Sequence, residues 1–398
     1  MLVDPGFVKS LQEAQLLSNR IIDPQDFPLG LKQNPISPWP STDVPGYGFI
    51  LSAFWFLLPK RYIFIQIFQI LLDLLSIILI AETGKRFFNR TIGGISSWLY
   101  ALWPIPAAFS CIAHRDYWGI FGIILAVFFL AFLLKSRTWL PVLGAGVSLA
   151  VLSWIRPVWT GMMLFIPVFI WVDQGWGRAW RAFSILATCF LVLFFLPLSL
   201  MNLKLHNRPF VSPVGLFLWE SLGEDKNPYG FSASDSDAWE YASSVKGIPP
   251  DSLEITEANE ILLQRVIEVG RKDPGFITKS LLIRGWRILT LGYSIILFLP
   301  VEKGLTHWEF PFMLMRYLHK LSWLLALVGF ILTGASFGYR KTALLWAPSL
   351  SIFFVFWPTR FTDPRFFFYA LFPFLFFVSG AVWVVYKGIK FYENKNKS

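Results

Sequence analysis

Apolar runs of sixteen residues or more recur along this chain, longer than a water-soluble core helix needs and long enough to cross the hydrocarbon of a bilayer. They lie at about 62–81, 92–113, 117–134, 139–155, 157–172, 182–201, 321–338, 342–358 and 366–386. With 55% of its 398 residues apolar and only 15% charged, the chain fits a membrane as its solvent. The expected fold class is therefore an all-α membrane protein, a polytopic helical bundle of about nine transmembrane helices with an exported loop subdomain.

Orientation follows from the basic residues. With residue 1 on the non-cytoplasmic side, the cytoplasmic loops collect Lys85, Arg86, Arg90, Lys135, Arg137, Arg178, Arg181, Arg340, Lys341 and the tail lysines, against only Glu82, Asp173 and Glu393. The net charge of +10 thus reflects topology, and nucleic acid is not an expected partner. Cys111 and Cys189 lie inside apolar runs, far apart in sequence and without a CxxC pair, and read as packing residues. No basic stretch followed by a short apolar core opens the chain, so none of these residues reads as a cleavable signal peptide.

Four regions result. Residues 1–61 form a first outer loop with interfacial helices, and 62–201 a six-helix transmembrane block. Residues 202–320 form an exported subdomain, and 321–398 a three-helix block with a basic cytoplasmic tail. Two apolar stretches, 47–59 and 288–300, are too short to span as straight helices and read as interfacial or re-entrant. Within the subdomain, Ile255, Ala258, Leu262, Val266 and Val269 recur at helical spacing between Pro249-Pro250 and Asp273-Pro274-Gly275, which predicts an amphipathic helix.

Charge near hydrocarbon is costly and persists with a partner or a task. The outer-facing groups of this kind are His114, Arg115 and Asp116 between the second and third spans, Arg156 between the fourth and fifth, and Arg360, Asp363 and Arg365 before the last. Asp4 lies in the first loop. Each alone is explained by a solvated terminus or by a side chain at a helix end reaching for water. Together they place cations and carboxylates from separate loops on one face, which suits an anionic lipid-phosphate ligand, since Arg and protonated His bind phosphate oxygens by charge-assisted bonds. Asp73 reads as a helix-packing or hydrogen-bonding residue, because no second intramembrane acid continues a proton path from it. The tryptophans fall largely at span ends, as an aromatic belt requires.

Several short motifs follow one another along the chain: Asp4, Phe7 and Ala14 in the first loop; Pro45-Gly46-Tyr47; Gly84-Lys85-Arg86-Phe87-Phe88; Ala101-Leu102-Trp103-Pro104; and Ile155-Arg156-Pro157. Asn207-Arg208-Pro209 with Gly215 and Trp219 opens the exported segment, and Pro364-Arg365-Phe366-Phe367 with Pro373 precedes the last span. Taken in order, these motifs resemble the GT-C superfamily of polyprenyl-phosphate-sugar-dependent glycosyltransferases, in particular its bacterial aminoarabinose-transferase and protein-mannosyltransferase-like branch.

The resemblance implies a multi-pass protein of the bacterial cytoplasmic membrane with its active site on the non-cytoplasmic face. It implies Asp4 as general base and Asp116 as the second outer-loop acid, Arg156 and Arg365 with His114 and Arg115 as donor-phosphate ligands, and Tyr47 and Tyr117 in the substrate pocket. The partners implied are membrane lipid, a polyprenyl-phosphate sugar and a glycan, lipid or protein acceptor. No cofactor is fixed by it, and a divalent metal stays open because relatives differ on that point. The family places a transmembrane helix before the first-loop acid, so either an upstream helix or unaided insertion of this acidic segment is expected. A transporter or non-catalytic binding protein for lipid-linked saccharides would suit the same cationic face.

Overall fold

The computed structural model describes residues 46–58, 62–103, 106, 110, 115–133, 138–156, 160–209, 214–290, 309–347, 349–351 and 372–395. Among them there is no strand, and the chain is an all-α membrane protein. The bundle is built from α1 (Gly46–Leu57), α2 (Tyr62–Phe87), α3 (Arg90–Ala101), α4 (Arg115–Leu133), α5 (Leu140–Ser153), α6 (Thr160–Gln174), α7 (Trp176–Phe190) and α8 (Leu196–His206). A second group, α9 (Val214–Leu222), α10 (Asp235–Lys246), α11 (Ile255–Lys272) and α12 (Pro274–Thr290), follows. The chain then returns to the bundle through α13 (Glu309–Phe337), α14 (Tyr339–Ala343) and α15 (Phe372–Lys395).

Among the described residues, three segments are long and apolar enough to cross a membrane: Ile63–Phe87, Trp176–Lys204 and Phe374–Phe391. The apolar helices at Tyr117–Phe132, Leu140–Ser153, Thr160–Gln174 and Leu324–Phe337 are shorter. The outer surface of α2 carries Ile63, Ile67, Ile70, Leu71, Leu74, Leu75 and Ile78, all exposed. A contiguous apolar stripe of this kind faces lipid rather than water. α2 runs past the expected end at 81 to Phe87, and α13 starts at Glu309, ahead of the apolar run expected from 321. Of the short stretch at 288–300, the first three residues close α12 and the rest lies outside the described residues, as does the end of the expected span at 342–358.

Lipid offers helices no hydrophobic reason to associate, so close backbone approach and polar contacts bind them. At the α2–α3 crossing, a Cβ on Gly93 would stand 2.3 Å from the Ala81 carbonyl oxygen, and one on Gly84 would stand 2.6 Å from Gly93 Cα. Asn89 caps α3 by accepting from the Ile92 N–H at 2.9 Å, which turns the chain sharply between the two helices. α3 meets α15 through the Ser96 and Ser379 hydroxyls, 2.9 Å apart, and α13 meets α15 where a Cβ on Gly329 would stand 1.9 Å from the Phe377 carbonyl oxygen.

α9 to α12 form a separate core around Trp219, which packs edge-on to Phe231 and lies against Tyr241. The predicted amphipathic helix is present as α11, with Ala258, Leu262 and Val269 turned into this core. Gly215 is required where α9 crosses α11: its N–H donates to Asn259 Oδ1 at 2.7 Å, and a Cβ there would stand 2.2 Å from the Asn259 carbonyl oxygen. Arg287 on α12 binds Glu224 at 3.4 Å and also Asp225. Arg284 beside it is buried, and that burial lowers its guanidinium to about 10, with Glu224 opposing the shift.

Asp273 joins α11 to α12. It accepts from Tyr229 Oη at 2.6 Å and from the Phe276 N–H at 2.9 Å, and these bonds, the tyrosine's first, hold its carboxyl below the ordinary value. A depressed carboxyl stabilises the fold fully above its unfolded value near ~4, and that contribution is lost as pH falls through the lower folded value. Hydrogen exchange of the α11 and α12 amides is therefore expected to accelerate as pH falls below about 4, after correction for the intrinsic rate. Asp273→Asn should flatten that dependence, and an unchanged acid limb in this variant would remove the assignment.

Candidate functional site

One end of the bundle is fixed by a chain of backbone requirements that begins at Pro197. Having no N–H, Pro197 cannot bond the carbonyl four residues back, that of Leu193, and the helix widens into a π turn at Leu191–Phe195. The freed Leu193 carbonyl accepts from Trp154 Nε1 at 2.7 Å. The Trp154 carbonyl in turn accepts from the Gly46 N–H at 2.8 Å, an approach that a Cβ on Gly46 would block at 2.3 Å. α5 packs on α4 so closely that a Cβ on Gly122 would stand 2.0 Å from Leu152 Cδ2. The start of α1, the end of α5 and the start of α4 thus converge.

This end carries most of the described site candidates. Arg156 follows the Trp154 turn, its N–H bonded to the Leu152 carbonyl at 2.8 Å and its side chain buried. Tyr47 follows Gly46 and packs partly buried against the bundle core. Arg115 and Asp116 open α4, and Tyr117 next to them is fully buried. Asp4, His114 and Arg365 lie outside the described residues.

The structure joins Tyr117 to residues that the sequence reading did not place in the site, and it bears out Asp73 as a hydrogen-bonding residue. Tyr100 Oη, near the end of α3, donates to Asp73 Oδ1 on α2 at 2.7 Å. The Ser76 hydroxyl, one turn further along α2, spends its proton on the Leu72 carbonyl at 2.9 Å and lies within electrostatic reach of Tyr100 and Tyr117. Asp73, Ser76, Tyr100 and Tyr117 therefore form one polar group drawn from three helices, one residue away from Asp116. The sequence signal for it was the placement of Gln69, Asp73 and Ser76 at spacings of four and three, which puts them on one side of α2.

Residues 40–200 match the family model described as dolichyl-phosphate-mannose-protein mannosyltransferase. No curated protein matches the chain. The matched stretch runs from α1 into α8 and so contains Tyr47, Asp73, Tyr100, His114, Arg115, Asp116, Tyr117 and Arg156, while Asp4 and Arg365 fall outside it. The match supports a membrane glycosyltransferase that uses a lipid-linked sugar. It agrees with the GT-C resemblance read from the motifs, and several of those motifs lie within the same residues. Among the described residues, no group of three or more His, Cys, Asp and Glu side chains comes together that could hold a metal ion.

Proposed function

We propose that this protein transfers a sugar from a polyprenyl-phosphate carrier to an acceptor on the non-cytoplasmic face, with inversion at the anomeric carbon. The observation that carries this reading is the mannosyltransferase-family match across α1 to α8, the stretch that gathers Tyr47, Arg156 and the 115–117 turn at one end of the bundle. An outer-loop carboxylate, Asp4 by the resemblance with Asp116 as the second acid, takes the proton of the acceptor hydroxyl. The oxygen so freed attacks the anomeric carbon, the carbon–oxygen bond to the lipid phosphate breaks, and polyprenyl phosphate leaves with the electron pair. Arg156, with Arg365, His114 and Arg115, neutralises the charge that builds on that phosphate, a role in which donors fixed beforehand count most. Tyr47 and Tyr117 line the pocket. The donor being a lipid, no nucleotide-binding loop is needed.

The test is direct. The purified full chain in lipid nanodiscs is offered a panel of polyprenyl-phosphate sugars with glycan, lipid and peptide acceptors. Transfer from one of them, with the anomeric configuration inverted in the product by NMR, is the expected outcome. Absence of transfer from every donor, together with movement of lipid-linked saccharide across proteoliposomes, would replace the enzyme with a transporter.

A further inference from the structure

α2 turns one stripe into the bundle: Ile65, Gln69, Ser76, Ile80, Thr83 and Phe87 are all buried, at the spacings of a single helix face. Two of its polar members are satisfied within the helix, Ser76 on the Leu72 carbonyl and Thr83 on the Leu79 carbonyl. Gln69 is not. Its Nε2 and Oε1 are both buried and have no hydrogen-bond partner, and the same holds for Trp118 Nε1 at the start of α4, while the buried Tyr117 Oη has within reach the Ser76 hydroxyl, whose proton is already on the Leu72 carbonyl. The two helices face each other here, since Phe68 stacks on Trp118 with ring centroids 5.7 Å apart. Asp73 lies one turn from Gln69, with Oδ1 taken by Tyr100.

A seam needed only for adhesion pairs its polar groups, as Ser96 and Ser379 do between α3 and α15. Unpaired amide and hydroxyl groups away from water are costly, and their concentration in one place calls for an occupant. What is left open both donates and accepts: the Gln69 amide and the Tyr117 hydroxyl do both, Trp118 donates, and Asp73 accepts. A lipid tail would satisfy none of these, and a phosphate would face the Asp73 carboxylate. Hydroxyls on a pyranose ring, each able both to donate and to accept, complement the set. We propose that Gln69, Asp73, Tyr117 and Trp118 hold the hydroxyls of the sugar carried by the lipid donor, with Tyr100 fixing the Asp73 carboxylate. This rests on the glycosyltransferase reading and makes the seam between α2 and α4 its sugar-selecting part.

The experiment measures binding separately from transfer. Radiolabelled polyprenyl-phosphate mannose, its single deoxy analogues and bare polyprenyl phosphate are titrated against the full chain in nanodiscs, as wild type, Gln69→Leu and Tyr117→Phe. Wild type is expected to bind the mannose lipid at least ~10-fold more tightly than bare polyprenyl phosphate and to reject at least one deoxy analogue by a similar factor, because a site built to bond a hydroxyl penalises its loss. Each variant should lose discrimination against its own deoxy analogue while keeping its affinity for the bare lipid. Wild type that shows no preference for the sugar-bearing lipid over the bare one, or variants that keep the full deoxy discrimination, would overturn the proposal. Should discrimination behave as expected while no donor supports transfer, the enzyme reading falls and the sugar-selecting seam stands.

Discussion

Asn at position 4 or at position 116 is expected to lower the rate of sugar transfer in reconstituted membranes by about 10²- to 10⁴-fold, the usual contribution of a positioned general acid or base. Asn keeps the size and the hydrogen-bonding shape of Asp but cannot take a proton from the acceptor hydroxyl. The loss should therefore fall on kcat, with the KM for the donor changed much less. The structure gives position 116 a specific setting, in the first turn of α4 and one residue before the buried Tyr117. Asp4 enters from the resemblance and lies outside the described residues. If both single variants and the double variant transfer sugar at the wild-type rate, the carboxylate-base assignment is lost.

Gly93→Val is the second large effect, and it is expected to act on stability. A Cβ at position 93 would meet the Ala81 carbonyl oxygen at 2.3 Å and the Lys85 nitrogen at 2.8 Å, both backbone atoms of α2. No rotamer change relieves such a contact, so the two helices must separate. Overpacking of this kind costs about 1–3 kcal/mol, and a backbone obstacle places it toward the upper end. Separation would also pull Tyr100 away from Asp73, because that hydrogen bond spans the same two helices. Gly94→Val is the control, since a Cβ on Gly94 meets nothing within 4 Å. The midpoint of thermal unfolding in nanodiscs should fall clearly for Gly93→Val and hardly move for Gly94→Val. Equal midpoints would show that the α2–α3 crossing is looser than its geometry states.

The long apolar runs were legible in the sequence because a bilayer imposes one demand on every residue of a crossing helix, and composition alone reports it. The same demand hides the packing. In a water-soluble helix the apolar side points inward, but α2 presents Leu71, Leu74 and Ile78 to lipid and turns Gln69, Ser76 and Thr83 inward. Hydrophobicity therefore does not distinguish its two faces, and a partner for Asp73 is not found by searching for a second acid. Its partner is Tyr100, neutral and 27 positions away.

Arg156 divides between the two sources of information. Its place in a short turn between two apolar runs is a property of the sequence, and so is the amphipathic period of α11 in the second core. That the turn is held by Gly46 on one side and by the Leu193 carbonyl on the other belongs to the tertiary structure alone. The sequence determined that the chain fills a bilayer with helices, because each residue's transfer energy is local and additive along a run. The tertiary structure decided which of them meet, because close approach at Gly46, Gly84, Gly93 and Gly122 and the carbonyl freed by Pro197 take effect only when a second helix arrives.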